Sequence, residues 1–373
     1  MAESTRDLQQ RLERTLLGGP RRYTRFDVAK LADVPEERSR RLWRALGFAT
    51  VDDDEVVFTD ADVEAMRIAD QLVQSGLVER GLEVAVTRAL GQHLSRLAEW
   101  QVHMLWELIT GNPELADNDG QVTRLVDRLL PELERVQSFV WRRHLAAYAG
   151  RAFANADEGM ETRTQVVGFV DMVGYTRLTR QVDEEELSRV LDSFETLATE
   201  VIADRHGRVV KMIGDEVLFV TDSSADAGDI ALTLAERTGT DELPAVRAGL
   251  AAGRVLSRFG DVYGSVVNVA ARLTSVARPG TVLVDRALAS ELEPLAQFEI
   301  RTRRPVAVRG YHRLRPAALR RGSEQPTGRF ASSQERAAEA MGLAETVADP
   351  DSEQEPAAPA DVTVGPRRRR RRR

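Results

Sequence analysis

Apolar residues change their spacing once along this chain, near residue 150, and that change divides it into two kinds of structure. Before it they recur at three- and four-residue steps, as in Leu72, Val73, Leu77, Val78 and Leu82, then Leu94, Leu97, Val102, Leu105 and Leu108. That is the period of helices with one buried face. All four tryptophans (Trp43, Trp100, Trp106, Trp141) lie in this half. After it, short apolar runs alternate with amphipathic stretches. QVVGFV (165–170) is a near-continuous run, as expected of a strand covered on both faces.

The second half reads further as strands and helices in turn. Asp183 is placed to cap a long helix whose inner face carries Leu187, Val190, Leu191, Phe194, Leu197 and Val201. RVVKM and EVLFV flank Ile213-Gly214-Asp215 and predict a β-hairpin with glycine in the turn. A helix over 224–238, a strand over 246–253, a helix over 265–277 and a strand over 281–285 follow. Such an order predicts an α+β domain, an α/β sandwich with helices packed on a sheet. The expected organisation is a helical domain over 1–150, a polar linker over 151–163, the α+β domain over 164–316, and a tail over 317–373. The tail is rich in Ser, Glu, Ala, Pro and Gly and ends in seven arginines, 367–373. That composition predicts disorder, with the arginines either a low-complexity end or a handle for anionic lipid or nucleic acid.

Composition excludes several chemistries. With no cysteine there is no disulfide, thiolate nucleophile or cysteine-held zinc, and five scattered histidines form no His-x-x-x-His ligand pair. Oxygen-ligand metals stay open, because carboxylates are plentiful. A formal net charge of −7 gives no general attraction to nucleic acid or anionic lipid. No stretch reaches the roughly 20 apolar residues of a membrane span. The polar start MAESTRDLQQ lacks the apolar core of a secretory signal, so a cytoplasmic protein is expected.

Two carboxylates stand where phosphate chemistry would need them. Asp171 ends the first strand and precedes the tight turn Met172-Val173-Gly174-Tyr175-Thr176, whose N–H groups can cradle phosphate. Asp215 sits in the hairpin turn before Glu216. If the two strands are neighbours, the aspartates converge at one edge, as a two-metal phosphoryl-transfer site requires. Alone, either aspartate is more simply a turn or cap residue.

Three motifs together carry more. GFVDMVGYTRLT (168–179), VVKMIGDEVLFV (209–220) and DVYGSVVNVAARLTSVARPG (261–280) resemble, in order and spacing, the palm-type, ferredoxin-like core of class III nucleotide cyclases. The resemblance implies that Asp171, Asp215 and the backbone carbonyl of Met172 hold two divalent cations, magnesium or manganese. It implies phosphate contacts from Val173, Gly174, Tyr175, Thr176 and Arg247. Lys211 and Asp261 would read the purine: a donor and an acceptor complement adenine N1 and its amino group, and guanine presents the opposite pattern. Lys211 is one of two lysines, with Lys30, in a chain that otherwise uses arginine. Asn268 would orient the ribose and Arg272, one helical turn on, stabilise the transition state. In the family the metal aspartates of one subunit face the other four residues of its partner, so a symmetric homodimer making cyclic AMP from ATP is implied.

In the first half, residues 23–66 resemble a MerR-type winged helix-turn-helix, with Arg38, Arg40, Arg41 and Arg44 as the residues that would face phosphate. Asp33, Glu36 and Glu37 are interleaved and the turn lacks a glycine, so DNA binding is not expected and a reused packing module is. The whole arrangement resembles soluble actinobacterial cyclases with a helical regulatory domain. That implies control through residues 1–150 by a small molecule or by pH; His144 is a titratable candidate, though more simply an ordinary helix-surface histidine. The alternative is a nucleotide-sensing DNA-binding regulator with a cyclase-like sensor. The hairpin sequence IGDEV is not the GG-[DE]-EF of diguanylate cyclases.

Overall fold

The computed structural model describes residues 10, 12–112, 119–154, 162–308 and 311–322. The first helices form where capping chemistry starts them. Thr24 accepts from Asp27 N and the Asp27 carboxylate answers at Thr24 N, opening α1 (Arg25–Leu31). Helix α2 (Glu36–Ala45) follows a turn in which Asp33 takes the left-handed conformation, φ 56°, that a glycine would otherwise supply. A second capping box, Thr59 with Asp62, opens α3 (Asp60–Gln74). Val28, Ala32, Val34, Leu42, Phe58, Val63 and Met66 close into one small core.

Two long helices complete this half, α4 (Glu83–Thr110) and α5 (Asp119–Ala154). Arg38 fastens α2 to its neighbours, donating to Glu83 Oε1 (2.9 Å from Nε) and also bonding Asp70. Glu83 is 5 % exposed. An ion pair so buried holds only while both partners are present, because either charge alone would be stranded away from water.

In the segment likened to a winged helix-turn-helix, α1 and α2 are followed by no strand among the described residues, and an isolated bridge joins Tyr23, before α1, to Phe58, after α2. Two of the four arginines assigned to phosphate also have intramolecular partners, Arg38 as above and Arg40 with Glu37. Arg38 thereby ties α2 inward against α3 and α4.

The α+β half opens with β1 (Thr162–Met172), the turn helix α6 (Tyr175–Leu178) and α7 (Glu184–Asp204), whose N-cap is Asp183 accepting from Glu186 N at 2.8 Å. The hairpin β2 (Arg208–Ile213) and β3 (Glu216–Thr221), α8 (Ser224–Arg237), β4 (Val246–Arg258) and β5 (Asp261–Tyr263) follow. Then come α9 (Ser265–Val276), β6 (Val282–Val284), α10 (Arg286–Leu292), β7 (Phe298–Thr302), β8 (Val306–Val308), β9 (Tyr311–Leu314) and β10 (Ala317–Arg321). The main sheet runs β2-β3-β1-β4-β6-β10-β7, with β5 paired to β4 and only β4–β6 parallel.

Alternation along β1 explains its continuous apolar run. Val166, Val170 and Met172 face the large core with Phe194, Val201, Ile230 and Leu288 of α7, α8 and α10. Val167 and Phe169 face the other side, where Ala270 of α9 packs. Both faces are covered, as expected.

Two boundaries differ from the sequence reading. Helix α5 continues to Ala154, so the first four residues assigned to the linker are helical; the rest of it up to 161 lies outside the described residues. The tail does not begin at 317, because Ala317–Arg321 is a strand paired with both β6 and β7 and anchored by Arg321 Nε to Glu236 Oε1 at 3.1 Å. Two small alanines and a single leucine carry too little hydrophobicity to announce a strand; pairing on both edges supplies what the side chains lack. From 323 on, including the seven arginines, the expected tail lies outside the described residues.

Candidate active site

Register aligns the first cluster. Asp171 lies opposite Glu216 on β3 and opposite Arg247 on β4, so three strands place one charged row across the sheet. That row shares its face with Phe169, Leu218 and Ala251, the side covered by α9. Arg247 Nε donates to Asp171 Oδ2 at 2.7 Å, and its other nitrogen lies 2.6 Å from the same oxygen. The Met172 N–H donates to the Asp215 carbonyl at 2.9 Å, which ties the two aspartate-bearing turns together. The expected convergence of Asp171 and Asp215 is present.

Crowding of acids shows in their protonation. Burial holds the Asp215 carboxyl above its usual range, and the neighbouring Asp171 charge adds to it. Burial, then the charges of Asp171 and Asp215, push Glu216 up to about 7. Glu216 was not singled out from sequence. Strand alternation is the signal that would have found it, since residue 216 must face Asp171 once the two strands pair.

An all-oxygen donor set with surplus negative charge fits a hard divalent cation. Among the described residues no three acidic or histidine side chains converge into a metal cluster. The aspartates therefore fit as a pair that would share a cation with backbone carbonyls and phosphate oxygens, the way magnesium is held on nucleotides.

The phosphate turn is narrower than expected. Gly174 has φ 87°, a left-handed conformation that turns the chain sharply into α6. The N–H groups of Tyr175 and Thr176 then lack partners within the helix, as at any helix start. Val173, however, donates its N–H to the Ala245 carbonyl at 2.8 Å, so its amide is already used.

The second cluster sits at the β2/β5 edge. A bulge between Val209 and Lys211 shifts the register so that Lys211 lies opposite Leu218. Lys211 Nζ donates to Asp261 Oδ2 at 2.7 Å, joining residues 50 apart in sequence. Helix α9 carries Asn268, which is exposed, and Arg272 one turn later. Neither side chain has a polar partner among the described residues. The helix is pressed onto β4 at Gly249, where a Cβ would overlap the backbone nitrogen of Thr274. The expected side chains thus fall into separate groups: Asp171, Asp215 and Arg247; Lys211 with Asp261; Asn268 with Arg272.

Residues 160–320 match the adenylate and guanylate cyclase catalytic domain, and residues 6–143 match an adenylate cyclase regulatory domain. An adenylate cyclase of Streptomyces coelicolor is 44 % identical over 328 residues, 87 % of this chain and 84 % of that protein. The chain belongs to the class III nucleotide cyclases. One from Streptomyces griseus, also an adenylate cyclase, is 46 % identical over 285 residues, covering 76 % of this cyclase and 71 % of its relative. A pH-sensitive adenylate cyclase of Mycobacterium tuberculosis is 38 % identical over 270 residues, 69 % and 67 % of the two chains. The regulatory-domain match spans the helical half of this cyclase, including the segment first likened to MerR proteins. No helix among the described residues is long and apolar enough to cross a membrane.

Proposed function

We propose that this cyclase converts ATP to 3′,5′-cyclic AMP and pyrophosphate at sites shared between two identical subunits, under the control of its helical half. The observation that carries the base choice is the Lys211–Asp261 contact. It sets an ammonium donor beside a carboxylate acceptor, the complement of adenine's N1 and amino group. Relatives named adenylate cyclase at 44 and 46 % identity over most of the chain support the same choice.

Two divalent cations, magnesium or manganese, would be held by Asp171, Asp215 and the Met172 carbonyl; when bound they neutralise the triphosphate and acidify the ribose 3′-hydroxyl. Arg247, adjacent to Asp171, would contact a terminal phosphate. The N–H groups of Gly174, Tyr175 and Thr176 line the turn where phosphate oxygens would lie. Asn268 orients the ribose, and Arg272 stabilises charge as the 3′-oxygen adds to the α-phosphorus and pyrophosphate leaves.

That Asn268 and Arg272 have no polar partner among the described residues supports a role in a neighbour's site. Exposed Trp100, Trp106, Phe139 and Trp141 on α4 and α5 support a second copy covering the helical half, because monomers rarely leave so much aromatic surface in water. DNA binding is not part of the proposal, as Arg38 and Arg40 are engaged with acids of their own chain.

The test is product formation from ATP and GTP with manganese or magnesium. Cyclic AMP is expected, with little cyclic GMP, and Asp171→Ala should lower the rate by about 100-fold or more. Equal use of GTP would remove the assigned role of Lys211 and Asp261; an active Asp171→Ala would remove the metal assignment. For control by pH, His144 is exposed on α5. His144→Gln is expected to shift the pH–activity profile of the full chain, and an unchanged profile would exclude that histidine as the sensor.

A further inference from the structure

Helix α4 crosses the β2/β5 edge of its own chain. His93 Nε2 lies 3.4 Å from the Phe259 carbonyl, and a Cβ at Gly260 would come into van der Waals contact with the same imidazole. Between helix and edge is an open cleft. Its helical wall presents Arg44 from the end of α2 with Arg88 and Arg96 from α4; its other wall presents Lys211 and Asp261. Arg88, Gln92 and Arg96 are spaced by four, so one face of α4 directs them all to the cleft.

The charges are unbalanced. Asp261 is the acid of the lining, and Lys211 already neutralises it. Arg44, Arg88 and Arg96 are exposed and form no ion pair among the described residues, whereas Arg38 and Arg40 of the same module do. Three guanidinium groups around one concavity raise the local concentration of a polyanion and suit phosphate oxygens in particular.

We propose that this cleft binds an adenine nucleotide, with its base on Lys211–Asp261 and its phosphates on Arg44, Arg88 and Arg96. The assignment rests on reading Lys211 and Asp261 as the purine-recognising pair. A nucleotide held this way clamps the helical half onto its own base-reading edge and withholds that edge from the neighbouring subunit. Nucleotide in excess is then an inhibitor as well as a substrate.

Binding is measured on the full chain in EDTA, with 3′-deoxy-ATP and 3′-deoxy-GTP, which lack the hydroxyl that cyclises. The wild type should bind the adenine analogue, and R88Q/R96Q should weaken it by about tenfold or more without lowering Tm, since both positions are exposed. The same double variant should lose inhibition of cyclic AMP formation at high ATP. Wild-type affinity in R88Q/R96Q, or no metal-free binding at all, overturns the cleft. Arginine-dependent binding that is equal for both bases overturns instead the purine reading of Lys211 and Asp261, which separates the two failures.

Discussion

Asp285 shows how a single half-buried carboxylate ties stability to pH. It caps α10, accepting from Leu288 N at 2.9 Å, and also takes Ala252 N of β4 at 3.3 Å. Burial raises its folded pKa above 3.8 despite these bonds. Because the folded chain prefers the protonated form, the stabilisation is complete below the unfolded value. It is lost as pH rises through the raised folded value. Asparagine keeps a side-chain carbonyl for both N–H donors and carries no charge to desolvate. Asp285→Asn should therefore raise Tm at pH 7, with the gain shrinking as the solution is acidified toward the carboxylate range. Thermal melts across pH decide it: a lower Tm at pH 7 would mean that the ionised cap contributes more than its burial costs.

Among elements, α9 carries the most consequence, because it bears Asn268 and Arg272 and packs on β4 with no side chain between them at Gly249. A methyl there meets backbone atoms of Ala270 and Thr274, which cannot rotate aside as a flexible side chain would. Gly249→Ala should displace the helix and lower kcat by about tenfold or more while leaving most of the ATP affinity, since small misplacements of transition-state groups act on the chemical step. Steady-state kinetics alongside circular dichroism would check this; unchanged kcat in a folded variant would show that α9 tolerates the shift. The sequence announced α9 through its apolar period, and it announced the β2–β3 hairpin through glycine. It did not announce β7 to β10, whose short runs are interrupted by arginines and prolines and become strands only by pairing. Likewise the local pattern of residues 23–66 did not announce that Arg38 of α2 is drawn to Asp70 and Glu83, and Arg40 to Glu37.

For the whole molecule, the decisive question is whether each site draws on two chains. Asp171→Ala removes one half of the proposed site and Asn268→Ala the other. Each variant alone should be nearly inactive. Mixed in equal amounts and allowed to exchange subunits, they should recover about a quarter of wild-type activity, because half the dimers are mixed and each holds one intact site of two. Persistent silence after exchange would place Asp171 and Asn268 in a single-chain site.

What the sequence determined alone was the kind of residue at each reacting position and the element that bears it. Asp171 after a strand, Asp215 in a glycine turn, and Asn268 and Arg272 one helical turn apart follow from periods and turn chemistry that act over a few residues. Only the tertiary structure decided what those residues meet. The row Glu216–Asp171–Arg247 depends on the register of three strands, the Lys211–Asp261 contact bridges 50 residues, and the arginine-lined cleft depends on where α4 crosses the sheet. Local preferences select helix or strand; register and helix docking are settled by the burial of surfaces far apart in the chain, so no short window of sequence contains them.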